Sequence, residues 1–291
     1  MGTAVVTGAR GVGYEVGRAL ALAGMRVVFG VRNLEHGEKA ATTIRAEGED
    51  VDVACELVDL ADLDSVAAFG DRMAVRHDRV DVLVNNAGVV MPPKRETTSG
   101  GFELHFGTNH LGHFALTSAL LPMLQAADAP RVVVVGSLAH RRADIDFDDL
   151  QSERPYRRVR AYGQSKLANL LFMTELQRRS DRAGWGLLST GAHPGFARTE
   201  AILRPEDSLV KRGFTRAMSG LIPTAESAAR PIVFAATSSH VVPAGYYGPS
   251  GPGEIGGRVG PARLASRAQD PALAAKLWDV SVVLTGVTFG A

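Results

Sequence analysis

A tyrosine and a lysine four residues apart are the side chains best suited to proton transfer in this sequence. Tyr162 and Lys166 lie in the segment YGQSKLAN at residues 162–169. If this segment is helical, both side chains lie on one face and within reach of each other. A free tyrosine has a pKa of about 10, and a neighbouring ammonium stabilises the phenolate and lowers that pKa. The pair therefore predicts acid–base chemistry by Tyr162.

A tyrosine and a lysine also occur at this spacing by chance on ordinary helix surfaces. The surrounding sequence must therefore show whether this pair belongs to an active site. Ser137, Asn86 and Pro194 each come shortly after a run of apolar, β-branched residues. Such runs are typical of parallel strands that are buried on both faces. Loops at the carboxyl ends of parallel strands meet at one edge of the sheet, where α/β proteins bind ligands. We therefore expect these residues to converge with Tyr162 on one crevice.

A glycine-rich turn at residues 7–13 (TGARGVG) separates the first apolar run from a helical pattern. Glycines allow a sharp turn and a close approach of the backbone to a ligand. The helix that follows directs its free N–H groups and the positive end of its dipole at that ligand. The turn alone would also fit a tight connection without a ligand, but its place between strand and helix favours a pyrophosphate.

Two arginines near this turn bear on the choice of cofactor. A fold selective for NAD normally places a carboxylate after the second strand, whereas this sequence has Arg32 there and Arg10 in the first turn. Guanidinium groups favour a 2′-phosphate through charge-assisted bidentate hydrogen bonds. We therefore expect NADP(H) to be preferred, with NAD(H) as the second choice. Asp59 could accept a hydrogen bond from the adenine amino group or, equally, cap the helix that starts near Leu63.

Strand-like runs alternate with helical stretches along the whole chain, which predicts βαβ units. We expect an α/β fold with a single Rossmann-type, doubly wound parallel sheet and helices on both faces. The predicted strands are 4–6, 27–29, 51–57, 82–84, 131–135, 187–190 and 244–246, and the clearest predicted helices are 15–22, 63–76, 114–124 and 165–179. We expect one domain over residues 1–291, with a polar surface insertion at 141–160, a substrate lid around 197–230 and a Gly/Pro-rich loop at 248–261.

Composition excludes several classes of partner. Lys and Arg (32) nearly balance Asp and Glu (31), and the net charge of +1 gives no reason to expect nucleic acid. No apolar stretch is long enough for a membrane span, and no signal peptide is recognisable at the N-terminus. The single cysteine, Cys55, excludes an internal disulfide and fits a reducing compartment, so we expect a cytoplasmic protein.

These pieces together resemble the short-chain dehydrogenase/reductase family. The matching residues, in the family's order, are the turn 7–13, the segment 85–88, Asn109, Ser137, Tyr162 with Lys166, and Pro194 with Gly195. Within that family the sequence resembles the retinol-dehydrogenase and WW-domain-oxidoreductase group. The features shared with that group lie at 108–114, 145–150, 162–169, 193–195, 277–278 and 284–286. The turn departs from the family pattern, because Gly8 and Gly11 enclose two residues where the family has three.

The resemblance implies a role for each member of the set Asn109, Ser137, Tyr162 and Lys166. Tyr162 would be the general acid in reduction and the base in oxidation, and Ser137 would hydrogen-bond the substrate oxygen. Lys166 would hold the nicotinamide ribose and lower the Tyr162 pKa, and Asn109 would hold a water that links Lys166 to solvent. The expected cofactor contacts are Gly8, Arg10, Gly11, Val12, Gly13, Arg32, Asn33, Asp59, Leu60, Asn86, Ala87, Gly88, Tyr162, Lys166, Pro194, Gly195, Phe196 and Thr199.

The predicted function is NADP(H)-dependent transfer of a hydride between a nicotinamide and a carbonyl or alcohol. Apolar residues in the expected lid at 197–230 favour a lipophilic substrate, although they would serve equally well to pack a lid helix. A non-catalytic NADP(H)-binding sensor is the main alternative, but it would not need Tyr162 with Lys166. An epimerase or dehydratase would usually carry a larger C-terminal domain, and no such domain is recognisable.

Three histidines near Asn109 raise the question of a metal. His110 and His113 could share a helix face, with His105 nearby, but no cysteine or convincing carboxylate completes a site. Packing or surface roles are favoured, and we expect no metal. Relatives often pair through the helices that hold Asn109 and Tyr162, so a homodimer and a homotetramer both stay open.

Overall fold

The computed structural model describes residues 2–195 and 223–290. Within these residues eight strands form one sheet. The strands are β1 Thr3–Thr7, β2 Arg26–Val31, β3 Val53–Leu57, β4 Val82–Asn85, β5 Arg131–Val135, β6 Leu188–Ala192, β7 Tyr246–Pro249 and β8 Val259–Pro261. Their order is β3-β2-β1-β4-β5-β6-β7-β8, and every neighbouring pair is parallel except β7 with β8. The predicted doubly wound sheet is confirmed.

Helices cover the described part of the chain between these strands. They are α1 Val12–Leu22, α2 Leu34–Arg45, α3 Leu63–Arg76, α4 Gly112–Gln125, α5 Arg158–Ala183, α6 Ala225–Thr237 and α7 Pro271–Thr285. A π-helical turn, Phe106–Leu111, leads directly into α4. The periodicity predicts α1, α3, α4 and the central part of α5, but not α2, α6 or α7. No helix in the described ranges is both long and apolar enough to cross a membrane.

Both faces of the sheet are covered, because successive side chains of β1 point into two different cores. Val5 belongs to a core that includes residues of α3, α4 and α5, whereas Ala4 and Val6 belong to a second core with residues of α1, α2 and α6. All three side chains are fully buried. Because strands buried on both faces carry apolar residues throughout, the continuous apolar runs in the sequence are explained.

The C-terminal helix α7 packs against α5 through an aromatic cluster. The ring of Trp278 lies 4.9 Å from that of Phe114, 5.8 Å from that of Phe172 and 4.4 Å from that of Phe289. Edge-to-face and offset aromatic pairs of this kind add to the stabilisation from buried area. The cluster fixes the outer side of α4 and α5, the two helices that carry or follow the expected catalytic residues.

Three stretches differ in detail from their predictions. The Gly/Pro-rich stretch 248–261 contains the short edge strand β8, which pairs antiparallel with β7. The stretch 141–160 is not wholly a surface insertion, since Ile145 and Leu150 are buried and its last three residues begin α5. Small buried residues of α6 pack in the core with α1, so residues 225–230 belong to this core helix rather than to a lid. Residues 197–222 of the expected lid lie outside the described residues.

Close packing between α1 and β2 sets the position of the glycine-rich turn. A Cβ on Gly17 would overlap the ring of Phe29, which is fully buried. Only glycine therefore allows α1 to lie this close to the sheet. Since α1 starts directly after the turn, the contact between Gly17 and Phe29 also positions the first residues of the helix.

Gly17→Ala should lower the free energy of unfolding by about 1–3 kcal/mol, measured by urea denaturation, because overpacking outweighs the helix propensity of alanine. Adding Phe29→Leu makes room for the new methyl group and should recover part of that loss, which makes the double variant the matched control. Wild-type stability in Gly17→Ala alone would contradict this account of the packing.

Candidate active site

A cavity of about 1280 Å³ opens at the carboxyl edge of the sheet. It lies around the point where β1 is flanked by β2 and β4, the topological switch point at which open α/β sheets bind ligands. Its volume exceeds the ~300–1,000 Å³ usual for small-molecule sites, as a dinucleotide beside a substrate would require. Of the predicted residues it is lined by Gly8, Arg10, Gly11, Val12, Gly13, Arg32, Asn33, Asp59, Leu60, Asn86, Ala87, Gly88, Ser137, Tyr162, Lys166, Pro194 and Gly195.

The glycine-rich turn has the backbone geometry expected of a phosphate cradle. Gly8 and Gly11 have φ values of +83° and +53°, in the region that favours glycine. A Cβ on Gly13 would overlap the carbonyl oxygen of Gly8. Helix α1 starts at Val12, and no side chain caps its first turn. Although the turn is one residue shorter than the family pattern, it delivers a helix N-terminus to the cavity, which can accept an anion.

The two arginines expected at a 2′-phosphate both line this end of the cavity. Arg10 and Arg32 are exposed, and neither guanidinium has an ion-pair or hydrogen-bond partner within residues 2–195 and 223–290. Asn33 has a structural task as well, because its side chain accepts a hydrogen bond from His36 N at 2.9 Å and caps α2. Arg10 and Arg32 are thus available to an anionic ligand.

Asp59 lines the cavity and does not cap α3. Its carboxylate accepts a hydrogen bond from Ala61 N at 2.9 Å, while Asp62 is the residue that caps α3. The capping alternative for Asp59 is therefore wrong, because Asp62 stands at the position directly before the helix. Interaction of Asp59 with an adenine stays a prediction.

Thr7 belongs to the predicted turn 7–13, but its role in organising the loop after β4 was not predicted. Its hydroxyl accepts hydrogen bonds from Asn86 N and Ala87 N, both at 2.9 Å. The side chain of Asn86 donates back to Thr7 O at 2.8 Å. His113 Nε2 lies 2.9 Å from the same hydroxyl, and His113 Nδ1 lies 2.9 Å from Asn109 O. The position of Thr7, at the end of β1 and directly before the first glycine, is the signal that could have revealed it.

The π-helical turn places Asn109 behind the cavity instead of in its lining. Asn109 Oδ1 accepts a hydrogen bond from Val89 N at 2.7 Å, and Asn109 Nδ2 donates to Ser165 Oγ at 3.0 Å. The residue thereby joins the loop after β4 to α5. Single π-helical turns occur frequently at functional sites, because they alter the direction of one or two groups in an otherwise regular helix.

Tyr162 and Ser137 lie close together in the lining of the cavity. The Ser137 hydroxyl is within hydrogen-bonding reach of the Tyr162 phenol and favours its ionised form. Burial is the stronger effect and raises the pKa of Tyr162 above its ordinary value of 10. The phenol is therefore protonated at neutral pH and can donate a proton.

Lys166 is almost completely buried, with 5% of its surface exposed. Its Nζ donates a hydrogen bond to Val135 O, at the end of β5, over 3.0 Å. Burial lowers the pKa of Lys166 from 10.5 to about 8. Nζ lies 6.0 Å from the centroid of the Tyr162 ring.

One expectation about this pair differs from the structure. The sequence predicts that Lys166 lowers the pKa of Tyr162, whereas burial raises that pKa and Lys166 is not among the groups that shift it. The reason is geometric, since the ammonium is bound to a strand carbonyl rather than to the phenol. The roles assigned to Tyr162 and Lys166 stay predictions.

The cavity is also lined by residues that were not predicted, and two predicted cofactor contacts cannot be located in it. Phe196 and Thr199 lie outside the described residues. Most of the added residues neighbour predicted ones in the same loops, which position after a strand could have indicated. The added residues are Ala9, Tyr14, Gly30, Val31, His36, Gly37, Val58, Val89, Val90, Met91, Thr108, Val135, Gly136, Leu138, Ala139 and Arg158.

The neighbouring histidines are packing residues. His110 Nε2 lies 2.8 Å from Ser281 Oγ in α7. Burial lowers the pKa of His110 to about 3 and that of His113 to about 4, so both are neutral near neutral pH. Within residues 2–195 and 223–290 no group of three or more His, Cys, Asp or Glu side chains could hold a metal ion.

Comparison with known proteins identifies the family. Residues 2–205, more than half of the chain, match the family model described as short chain dehydrogenase. The chain belongs to the short-chain dehydrogenase family. Similar curated proteins are retinol dehydrogenase 12 of Mus musculus, 37% identical over 97% of this chain and 86% of its own length, and retinol dehydrogenase 14 of Homo sapiens, 38% identical over 98% and 86%.

Solved structures support the same assignment. An uncharacterized protein from Mycobacterium paratuberculosis has a TM-score of 0.83 and 38% identity, covering 100% of this chain and 96% of that one. A protein from Beutenbergia cavernae, described as an NAD(P)-dependent gluconate 5-dehydrogenase with bound NADP, has a TM-score of 0.64 and 27% identity, covering 82% and 90%. The chain is therefore an NAD(P)-dependent dehydrogenase of the retinol-dehydrogenase group that acts on alcohols or carbonyls.

The burial of Lys166 predicts that its charge destabilises the fold. Because its folded-state pKa of about 8 lies below 10.5, the folded protein binds this proton less tightly than the unfolded chain does. The resulting cost is complete below pH 8 and disappears as the pH rises toward 10.5. Lys166→Met should therefore raise the free energy of unfolding at about pH 7 by about 1–3 kcal/mol.

Urea denaturation of the two proteins at about pH 7 and about pH 9.5 measures this effect, and the advantage of the variant should shrink at the higher pH. A variant that is less stable than the wild type at both pH values would contradict the assigned state of Lys166.

Proposed function

We propose that this dehydrogenase prefers NADP(H) and that Tyr162 exchanges the proton with the oxygen of a lipophilic carbonyl or alcohol. The observation that carries the proposal is one cavity lined by a glycine-rich turn, by Ser137, Tyr162 and Lys166, and by two arginines whose side chains have no partner among the described residues. When bound, the nicotinamide supplies or accepts the hydride. The glycine-rich turn and the loop 86–88 would hold the adenosine half of the cofactor, and Pro194 with Gly195 the nicotinamide half.

The preference for NADP(H) rests on charge. Arg10 and Arg32 are free to form charge-assisted hydrogen bonds with a 2′-phosphate. Arg32 stands directly after β2. A carboxylate at this position would instead select the 2′-hydroxyl of NAD. The bound NADP described for the Beutenbergia cavernae protein supports this preference in a related fold.

Arg32→Ala should weaken NADPH binding about 10–100-fold and change NADH binding less than about twofold, because only NADPH carries the 2′-phosphate. Fluorescence titration with both cofactors measures the two affinities. Arg45→Ala is the matched control, since Arg45 lies on α2 and pairs with Glu38 outside the cavity. Equal weakening for NADPH and NADH would contradict the assignment.

The proton chemistry follows from the protonation states in the site. Tyr162, with its raised pKa, holds the proton that carbonyl reduction needs, and it must ionise before it can act as base in oxidation. Ser137 would hydrogen-bond the same substrate oxygen and stabilise developing charge there. Lys166, with a pKa of about 8, can hold a ribose and keep a positive charge near the site at neutral pH.

A lipophilic substrate is favoured by the wall of the cavity beside Tyr162. Val89, Val90, Met91, Leu138 and Ala139 line this part of the cavity and are half-buried. An apolar wall with a few convergent polar groups is typical of sites for small lipophilic ligands. The names of the similar retinol dehydrogenases agree with a substrate of this class.

Tyr162→Phe should reduce turnover of ketones and aldehydes by about 10²–10⁴-fold while NADPH affinity stays within about twofold, because only the transferable proton is lost. NADPH oxidation with a carbonyl panel measures turnover. Tyr247→Phe is the control, since its hydroxyl accepts from Val242 N away from the cavity. A wild-type protein that binds NADPH but turns over no member of the panel would favour the sensor.

A further inference from the structure

The segment that carries Ser137 is anchored by a buried histidine. His140 is fully buried, and its Nε2 accepts a hydrogen bond from Ala265 N at 3.2 Å. The proton must therefore be on Nδ1, which donates to Ser137 O over 2.5 Å. This bond ties the serine segment to the C-terminal part of the chain.

The loop with Pro194 and Gly195 is anchored by a second buried histidine. His193 Nδ1 accepts a hydrogen bond from Gly195 N at 3.1 Å, which leaves the proton on Nε2. That atom lies 2.7 Å from Glu254 Oε2, although the pair lacks the alignment of a good hydrogen bond. Gly195 has a φ of +70°, and a Cβ there would lie 2.9 Å from Glu254 O. Both the side chain and the backbone of Glu254 therefore contact this loop.

Glu254 also reaches the serine segment. Its Oε1 lies 2.5 Å from a guanidinium nitrogen of Arg141, the residue next to His140, and accepts a hydrogen bond from Arg263 N at 3.2 Å. Hydrogen bonds from these two donors outweigh partial burial and hold the pKa of Glu254 below its ordinary value. One ionised carboxylate thus contacts Arg141 on one side and His193 on the other.

The aromatic ring of Tyr246 fills the space between the two histidines. Its centroid lies 5.5 Å from that of His140 and 5.3 Å from that of His193. Its hydroxyl is buried, and a Cβ on Gly136 would lie 2.6 Å from it. The ring keeps the two segments from moving closer together, and the contacts of Glu254 with Arg141 and His193 keep them from moving apart.

Stability alone does not account for the arrangement of Glu254 with its neighbours Arg141, His193 and Tyr246, here called the Glu254 cluster. Within the described residues Tyr246 OH and Arg141 Nε are buried atoms without hydrogen-bond partners, and the ion pair between Arg141 and Glu254 is only partly buried, so it adds little stability. Glu254 has a φ of +58°, a conformation that costs a non-glycine residue energy and persists only where its surroundings impose it. A costly arrangement between two parts of a site indicates that their relative position matters.

From these contacts we infer that Glu254 and Arg141 are positioning residues that clamp the nicotinamide-binding loop 194–195 to the segment carrying Ser137. The clamp fixes the distance between the nicotinamide ring and the groups that hold the substrate oxygen. This inference rests on the proposed function, because it requires Pro194 and Gly195 to hold the nicotinamide half of the cofactor. It concerns only that half, since in residues 2–195 and 223–290 no contact of Glu254 or Arg141 reaches the glycine-rich turn.

Glu254→Gln tests the clamp, because it keeps the size of the side chain and removes its charge. Titrations with NADPH and with 2′,5′-ADP, which lacks the nicotinamide half, separate the two ends of the cofactor. NADPH binding should weaken at least about fivefold, and 2′,5′-ADP binding should change less than about twofold. The deuterium isotope effect on kcat with NADPH labelled at the transferred hydrogen should rise, since poorer positioning slows the hydride-transfer step.

Arg141→Met opens the clamp from the other side and should reproduce both results, which provides a second variant should Glu254→Gln fail to fold. Their double variant should be no worse than either alone. Glu226→Gln is the matched control, because Glu226 pairs with the exposed Arg230 and lies outside the cluster.

Equal weakening of both ligands, or no weakening of NADPH, would overturn the clamp. Failure of the wild-type protein to bind NADPH and 2′,5′-ADP would overturn the proposed function itself and the clamp with it. Normal wild-type binding of both ligands therefore distinguishes the two failures.

Discussion

The hydrogen bond from Lys166 Nζ to Val135 O is the interaction on which the site depends. It holds a desolvated ammonium at the end of a strand, and it fixes the register of α5 against the sheet. Because Tyr162 lies one helical turn earlier on α5, the same bond sets where the phenol enters the cavity. The cost of burying Lys166 is offset by the two apolar cores that pack against the sheet.

A second set of hydrogen bonds starts at Ser165, next to Lys166 on α5, and reaches the loops that line the cavity. Asn109 joins α5 to the loop after β4, and His113 joins the backbone of Asn109 to Thr7 beside the glycine-rich turn. Neutral imidazoles suit this task, because they accept and donate without placing another charge near Lys166. The loop after β4, the residue before the glycine-rich turn and α5 are thus joined by one polar network.

Much of the fold could be predicted because the strands are visible as apolar runs and the residues suited to chemistry directly follow those runs. Continuous apolar runs identify buried parallel strands, and polar residues after them mark one edge of the sheet. The polar network itself could not be predicted, since Thr7 and His113 are distant in sequence and neither type specifies its partner. The direction of the Tyr162 pKa shift was also out of reach, because it depends on burial and on where Lys166 Nζ points. Helix α6 was missed because its small residues resemble a loop until they pack against α1.

The most direct test of this account is an NMR titration of the Lys166 side chain, with Lys166→Met used to assign its resonance. The account predicts a pKa near 8 for the buried ammonium, as its desolvation requires. A titration near 10.5, the value of an exposed lysine, would show that Lys166 is hydrated and would contradict the structure of the site proposed here.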